Sequence, residues 1–173
     1  VQNAAALSAV AIPVSGTVTV GQAFQVHVTV SNTAASPGAS ATAVSPVSAL
    51  SLPGGLIAVA GAVTPSSALV AAGSQQTFTY NFTASSVGTA SVSSVVLGID
   101  VNSGITRSAL AAAGSSVLVQ SLPVLAVKLN TPVLTAIPAG ANITFTVSVT
   151  NTAATAATLQ GVSLLAHLVS GPA

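Results

Sequence analysis

Three stretches of the chain alternate apolar and polar residues with a period of two. Phe24, Val26, Val28 and Val30 alternate with Gln25, His27, Thr29 and Ser31. Phe78, Tyr80 and Phe82 alternate with Thr77, Thr79, Asn81 and Thr83, and Ile143, Phe145, Val147 and Val149 with Asn142, Thr144, Thr146 and Ser148. Successive side chains of an extended strand point to opposite faces, so each stretch reads as a strand with one dry and one wet face. Turn signals separate them at short intervals: SPG at Ser36 to Gly38, LPGG at Leu52 to Gly55 and NSG at Asn102 to Gly104. No helical periodicity of useful length is present, so the class is all-β. Strands are expected at 6–14, 22–31, 41–50, 56–63, 75–84, 89–101 and 115–127, the size and strand number of an immunoglobulin-like β-sandwich.

The chain also repeats itself. GQAFQVHVTVSNTAA at Gly21 to Ala35 returns as GANITFTVSVTNTAA at Gly140 to Ala154, a constant offset of 119 positions. Pro132-Val133 matches Pro13-Val14, and Val162, Ser163, Leu165 and Leu168 match Val44, Ser45, Val47 and Leu50 after a one-residue slip. Counterparts of the Phe78 to Phe82 strand and of those after it do not follow before Ala173. The expected organisation is therefore an extended N-terminal strand at 1–13, a sandwich at 14–122 and a strand-deficient second immunoglobulin-like unit at 123–173. A sheet without its facing layer exposes an apolar face and an open edge. The spare segment is the N-terminal run, with Ala6, Leu7, Ala9, Val10 and Ile12 as donor residues. Given to a neighbouring copy by β-augmentation, it makes a heterologous contact that does not close, and hence a filament.

Composition limits the partners. Two basic residues, one acid and two histidines make up the ionic inventory, 2% charged against about 25% for an ordinary soluble domain. A net charge of +1 is no footprint for nucleic acid, and little like-charge repulsion keeps copies apart. The apolar residues never run the roughly 18 positions of a spanning helix. The chain opens at Val1 without a basic region and apolar core, as expected of a mature, processed extracellular product. It has no cysteine. His27, His167 and Asp100 exhaust the groups for acid–base work, and their spacing matches no catalytic or metal motif, so neither enzyme activity nor a cofactor is expected. Asp100 and Arg107 are expected to flank one hairpin as a local pair.

Asn81-Phe82-Thr83 and Asn142-Ile143-Thr144 are N-x-[ST] sequons. In both, the alternation puts Asn and Thr on the polar face and the middle residue inward. Asn81 and Asn142 are therefore candidate N-glycosylation sites, supplying the solubility that charge does not.

The strand followed by Asn-Thr and a further apolar strand, at Val26 to Ala35 and Phe145 to Ala154, resembles the immunoglobulin-like repeats of bacterial and archaeal surface proteins, including the cell-adhesion-related and conserved-repeat families. The nearly chargeless Ser/Thr/Ala/Val chain, with sequons and an apolar N-terminus, also resembles the secreted subunits of archaeal thread filaments. That resemblance implies donor-strand joining of identical copies, heavy N-glycosylation and isopeptide cross-links. Carried onto this sequence, the last of these makes Lys128, Asp100 and Asn3 candidates, with Asn130 and Asn151 as alternative partners of Lys128; the competing reading is an ordinary surface lysine. The function expected is a pilus-like structural subunit of an extracellular filament for adhesion or cell contact. The alternative is an immunoglobulin-like module of an adhesin or surface-layer protein.

Overall fold

The structure is a computed structural model and describes residues 1–47, 57–59, 61–130, 140–153, 160–163 and 165. Thirteen strands and no helix are found among them: β1 Leu7–Pro13, β2 Thr17–Thr19, β3 Ala23–Asn32, β4 Ala41–Val47, β5 Ile57–Val59, β6 Ala68–Val70, β7 Gln75–Ala84, β8 Gly88–Ser91, β9 Ser94–Asp100, β10 Thr106–Ala113, β11 Ser116–Gln120, β12 Leu125–Asn130 and β13 Thr146–Asn151. Among the described residues no helix is long and apolar enough to cross a membrane. The chain divides into two units, Val1–Ser121 and Leu122–Ala173.

In the first unit the alternating stretches form the spine. β3 and β7 pair antiparallel from Ala23 opposite Thr83 to Ser31 opposite Gln75. Their apolar residues point inward, with Val26, Val28, Val30, Phe78 and Phe82 fully buried. The Phe24 and Phe82 rings stack at 5.6 Å. Each aliphatic side chain buried this way contributes about 1.5–3 kcal/mol.

One ladder runs β5-β7-β3-β1-β10-β9-β4-β6, and β2-β11-β8 forms a second sheet. Val96 of β9, Val44 of β4, Val70 of β6 and Val117 and Val119 of β11 join the β3 and β7 residues in one core, and β6 touches β7. The ladder is thus folded over on itself, in agreement with the immunoglobulin-like β-sandwich class expected from the sequence.

Strand boundaries differ from the expectation in several places, and the short strands β2 and β6 lie outside every expected strand. The stretch 89–101 is broken at Val92-Ser93 into β8 and β9, which lie in different sheets. The stretch 115–127 is broken at 121–124 into β11 and β12, which lie in different units. β10 was not expected at all: four of its eight residues are alanine, and beyond Thr106 it has none of the β-branched and aromatic side chains that announce a strand. Of the expected strand 56–63 the structure describes β5, and residues 48–56 lie outside the described residues.

In the second unit β12 and β13 pair antiparallel from Leu125 opposite Asn151 to Asn130 opposite Thr146. One face carries Leu125, Val127 and Leu129, which are 46%, 63% and 56% exposed. The strand read from Asn142 onward starts only at Thr146, and Ile143, expected to point inward, is exposed together with Phe145. The reason is pairing. In the first unit the corresponding half of β3, with Phe24, is held by β7, whereas β13 spans only the residues that β12 pairs.

Candidate functional site

β1 is the candidate that both the sequence and the fold single out. The N-terminal segment, expected both as a strand at 6–14 and as a donor to a neighbouring copy, is here a paired strand of its own unit. β1 runs antiparallel to β3 from Leu7 opposite Asn32 to Pro13 opposite Val26. On its other edge Ala9, Val10 and Ala11 pair parallel with Ala111, Ala112 and Ala113 of β10. The alternation that suits a donor suits this slot equally: Ala11 and Pro13 face the core and are buried, while Ser8 and Ile12 are exposed.

Two glycines shape the slot. A Cβ on Gly98 would meet Leu7 Cδ1 at 3.1 Å and Val44 Cγ2 at 2.8 Å, and a Cβ on Gly114 would meet Ile12 Cγ1 and Val10 Cγ2 at 3.0 Å each. β1 joins the rest of the unit at its C-terminal end only through Val14 to Gly16 ahead of β2.

The residues before β1 are held by side chains. Asp100, at the end of β9, is 1% exposed. Its Oδ2 accepts the Ala5 N–H at 2.6 Å, and its Oδ1 accepts those of Asn102 at 3.0 Å and Ser103 at 2.8 Å. The β9–β10 turn that presents these amides closes with the Gly104 N–H donating to the Asp100 carbonyl at 2.9 Å. Gly104 takes a φ of +67°, a conformation that favours glycine. These amides, Ala5 first and Ser103 next, hold the Asp100 carboxyl down at about 2, from an ordinary 3.8. Asn102 Nδ2 donates to Gln2 Oε1, and Asn3 Nδ2 to the Ala35 carbonyl at 3.1 Å.

A cleft of about 170 Å³ lies here, lined by Gln2, Asn3, Asp100, Asn102 and Arg107 among others. The expected Asp100–Arg107 pair does not form, because main-chain N–H groups take the carboxylate; Arg107 Nε is buried without a hydrogen-bond partner.

The repeated Asn-Thr has a physical meaning that sequence reading missed. Asn32 is buried; its Oδ1 accepts the N–H groups of Ala6 at 3.1 Å and Ala34 at 3.3 Å, and its Nδ2 donates to the carbonyls of Ala39 and Val70. The Thr33 N–H and hydroxyl both donate to the Ala6 carbonyl, at 2.7 and 3.2 Å. In the second unit Asn151 Oδ1 accepts from Val124 at 3.2 Å and Ala153 at 3.1 Å, and the Thr152 N–H and hydroxyl donate to the Val124 carbonyl at 2.8 and 3.3 Å. The motif clamps the end of one strand to the start of the strand before it. The repeat itself was the available signal, because a polar pair recurring where two strands meet serves hydrogen bonding.

The remaining sequence candidates are divided between the two units. Asn81 and Thr83 are half-exposed on β7 with Phe82 buried between them, and Gln25 Nε2 donates to Asn81 Oδ1 at 3.0 Å. Asn142 and Thr144 are exposed ahead of β13. Asp100 and Asn3 share the cleft in the first unit, whereas Lys128 is exposed on β12 of the second. Asn130 is exposed at the end of β12, and Asn151 is the clamp residue. His27 is half-exposed on the outer face of β3, opposite Ile12 and Thr79. His167 and Leu168 lie outside the described residues. Among the described residues no group of three His, Cys, Asp or Glu side chains is placed to hold a metal.

No family model matches the chain, and no curated protein is similar to it.

Proposed function

We propose that the chain is a secreted, N-glycosylated structural subunit with no catalytic role, and that copies of it join head to tail into an extracellular filament serving adhesion or cell contact. The observation that carries this reading is the β12–β13 pair, whose face of Leu125, Val127 and Leu129 is exposed although its register and its Asn-Thr clamp are those of a core strand pair. A neighbouring copy completes this unit by covering that face. The strand that links copies is β1. It is seated between β3 and β10 and can be supplied by another copy with the same contacts. Exchange of an identical strand changes little in free energy at each slot, and because donor and acceptor belong to successive copies the assembly stays open-ended.

Electron microscopy of the purified chain tests this. Fibres one subunit thick are expected, together with their loss when residues Val1 to Ile12 are deleted. Because β1 is an inner strand of its own sheet, that deletion also opens the first unit between β3 and β10. A synthetic peptide spanning Gln2 to Val14 should refill the slot, restoring the fold while capping growth. Globular particles at all concentrations, or fibres undiminished by the deletion, would refute strand donation and favour the module of an adhesin or surface-layer protein.

A further inference from the structure

We propose that the Asp100 carboxylate is the clasp that keeps β1 in its slot, so that neutralising it frees β1 to be exchanged for the β1 of a second copy. The inference rests on the strand-donation reading and adds its control. Asp100 is the chain's only side-chain carboxylate, it is almost fully buried, and one of its oxygens is given to the Ala5 amide, two residues ahead of β1. The β9–β10 turn, anchored by the other oxygen, presents Asn102 to Gln2. The segment that must lift first if β1 is to leave is therefore held by one ionised group. Hydrogen bonds to a charged acceptor are about twice as strong as neutral ones, so the loss of that single charge weakens all of these contacts together.

The groups around the carboxylate leave no other proton-dependent switch. The segment before β1 brings Gln2, Asn3 and Ala4, the approach to β4 brings Ala39, and the β9–β10 turn brings Asn102 and Ser103. None of these side chains ionises. Arg107 from β10 is the charged neighbour in the cleft. With its folded value lowered to about 2, the clasp is closed above the ordinary carboxyl value of 3.8 and opens as the pH falls through about 2.

Asp100→Asn reproduces the open state at neutral pH. Its Oδ1 can still accept from Asn102 and Ser103, but its Nδ2 then faces the Ala5 N–H, donor against donor. The test is uptake of a labelled peptide spanning Gln2 to Val14 by the full monomeric chain, which does not depend on filaments forming. At pH 5 the Asp100→Asn chain should take up peptide roughly ten to a hundred times faster than wild type, the factor expected for losing hydrogen bonds to a charged group. Wild type should reach the variant's rate only near pH 2, and this second arm holds even if the variant folds poorly. Equal rates at pH 5 in two folded chains, or a wild-type rate that stays flat all the way from pH 5 through pH 2, would overturn the clasp. A gated uptake in a chain that never forms fibres would overturn the filament and leave the clasp standing.

Discussion

The strand pair β1–β3 and the strand pair β12–β13 are built alike and end differently. Leu7 lies opposite Asn32 as Leu125 lies opposite Asn151, Ala9 opposite Val30 as Val127 opposite Val149, and Ala11 opposite Val28 as Leu129 opposite Val147. Both pairs carry the same Asn-Thr clamp. In the first pair the shared face is closed, with Ala11, Val28 and Val30 fully buried; in the second, Leu125, Val127 and Leu129 are about half exposed. Register and clamp depend on residues near one another along two strands, while burial depends on what the rest of the molecule brings. The side chains differ accordingly. The covered strand is small and fits its slot, and the uncovered one carries Val and Leu where β1 has Ala.

The largest expected effect contrasts the two clamp asparagines. Asn32→Ala strips four hydrogen bonds and leaves buried backbone groups of Ala34, Ala39 and Val70 short of a partner. At 1–3 kcal/mol for each unsatisfied group, a loss of about 3–5 kcal/mol is expected in denaturant unfolding, a large share of a typical domain's stability. Asn151→Ala, in an exposed clamp, should cost about 1 kcal/mol or less. Equal losses would mean that the two pairs are covered alike. A smaller effect comes from the facing valines: Val28→Ala in the closed pair should cost about 2 kcal/mol by lost burial and a small cavity, and Val147→Ala almost nothing. If Val147→Ala also cost about 2 kcal/mol in dilute monomer, the second face would have to be covered within the chain itself.

Much of this was legible in the sequence, and the gaps have physical causes. The alternation at Phe24 to Ser31 and Phe78 to Thr83 announces β3 and β7, because a half-buried strand cannot avoid that pattern. β10 is nearly silent: only Ala111 of it is buried, so it needs no large apolar side chains of its own. The slot for β1 was equally hidden, since Gly98 and Gly114 act through the space they leave. The N-terminal segment was correctly seen as a short, uncharged, alternating strand, but alternation names a face and not the sheet it joins. Asp100 was visible as the chain's one acid. That it binds main-chain amides and not Arg107 depends on the β9–β10 turn, which only the fold brings under Ala5.

Acid should separate the units by a smaller margin still. The lowered Asp100 carboxyl stabilises the first unit at any pH above 3.8, and this contribution disappears as the pH falls through about 2. The second unit contains no carboxylate side chain to lose. A thermal melt followed from pH 7 to 4 should therefore be flat and should begin to fall only near pH 2, and Asp100→Asn should remove that fall. A midpoint that dropped steadily between pH 6 and 4 would mean that a group other than Asp100 governs the acid response.

The smallest effect concerns Lys128. The two other members of the candidate cross-link, Asp100 and Asn3, meet in the first unit, whereas Lys128 is exposed on β12. Condensation of a lysine with an asparagine amide needs the amine desolvated and uncharged, with an acid beside it to move the proton. An exposed lysine side chain on a wet strand face is not desolvated, so Lys128→Gln should change the stability of the isolated chain by no more than about 0.5 kcal/mol, the range of ordinary surface substitutions. The intact mass of the unmodified wild-type chain should equal that of its sequence. A mass short by one ammonia, restored in the Lys128→Gln chain, would show a covalent tie from β12 and would mean that the lysine spends part of its time buried. The open pair would then be closed by a bond that the β1–β3 pair does not use.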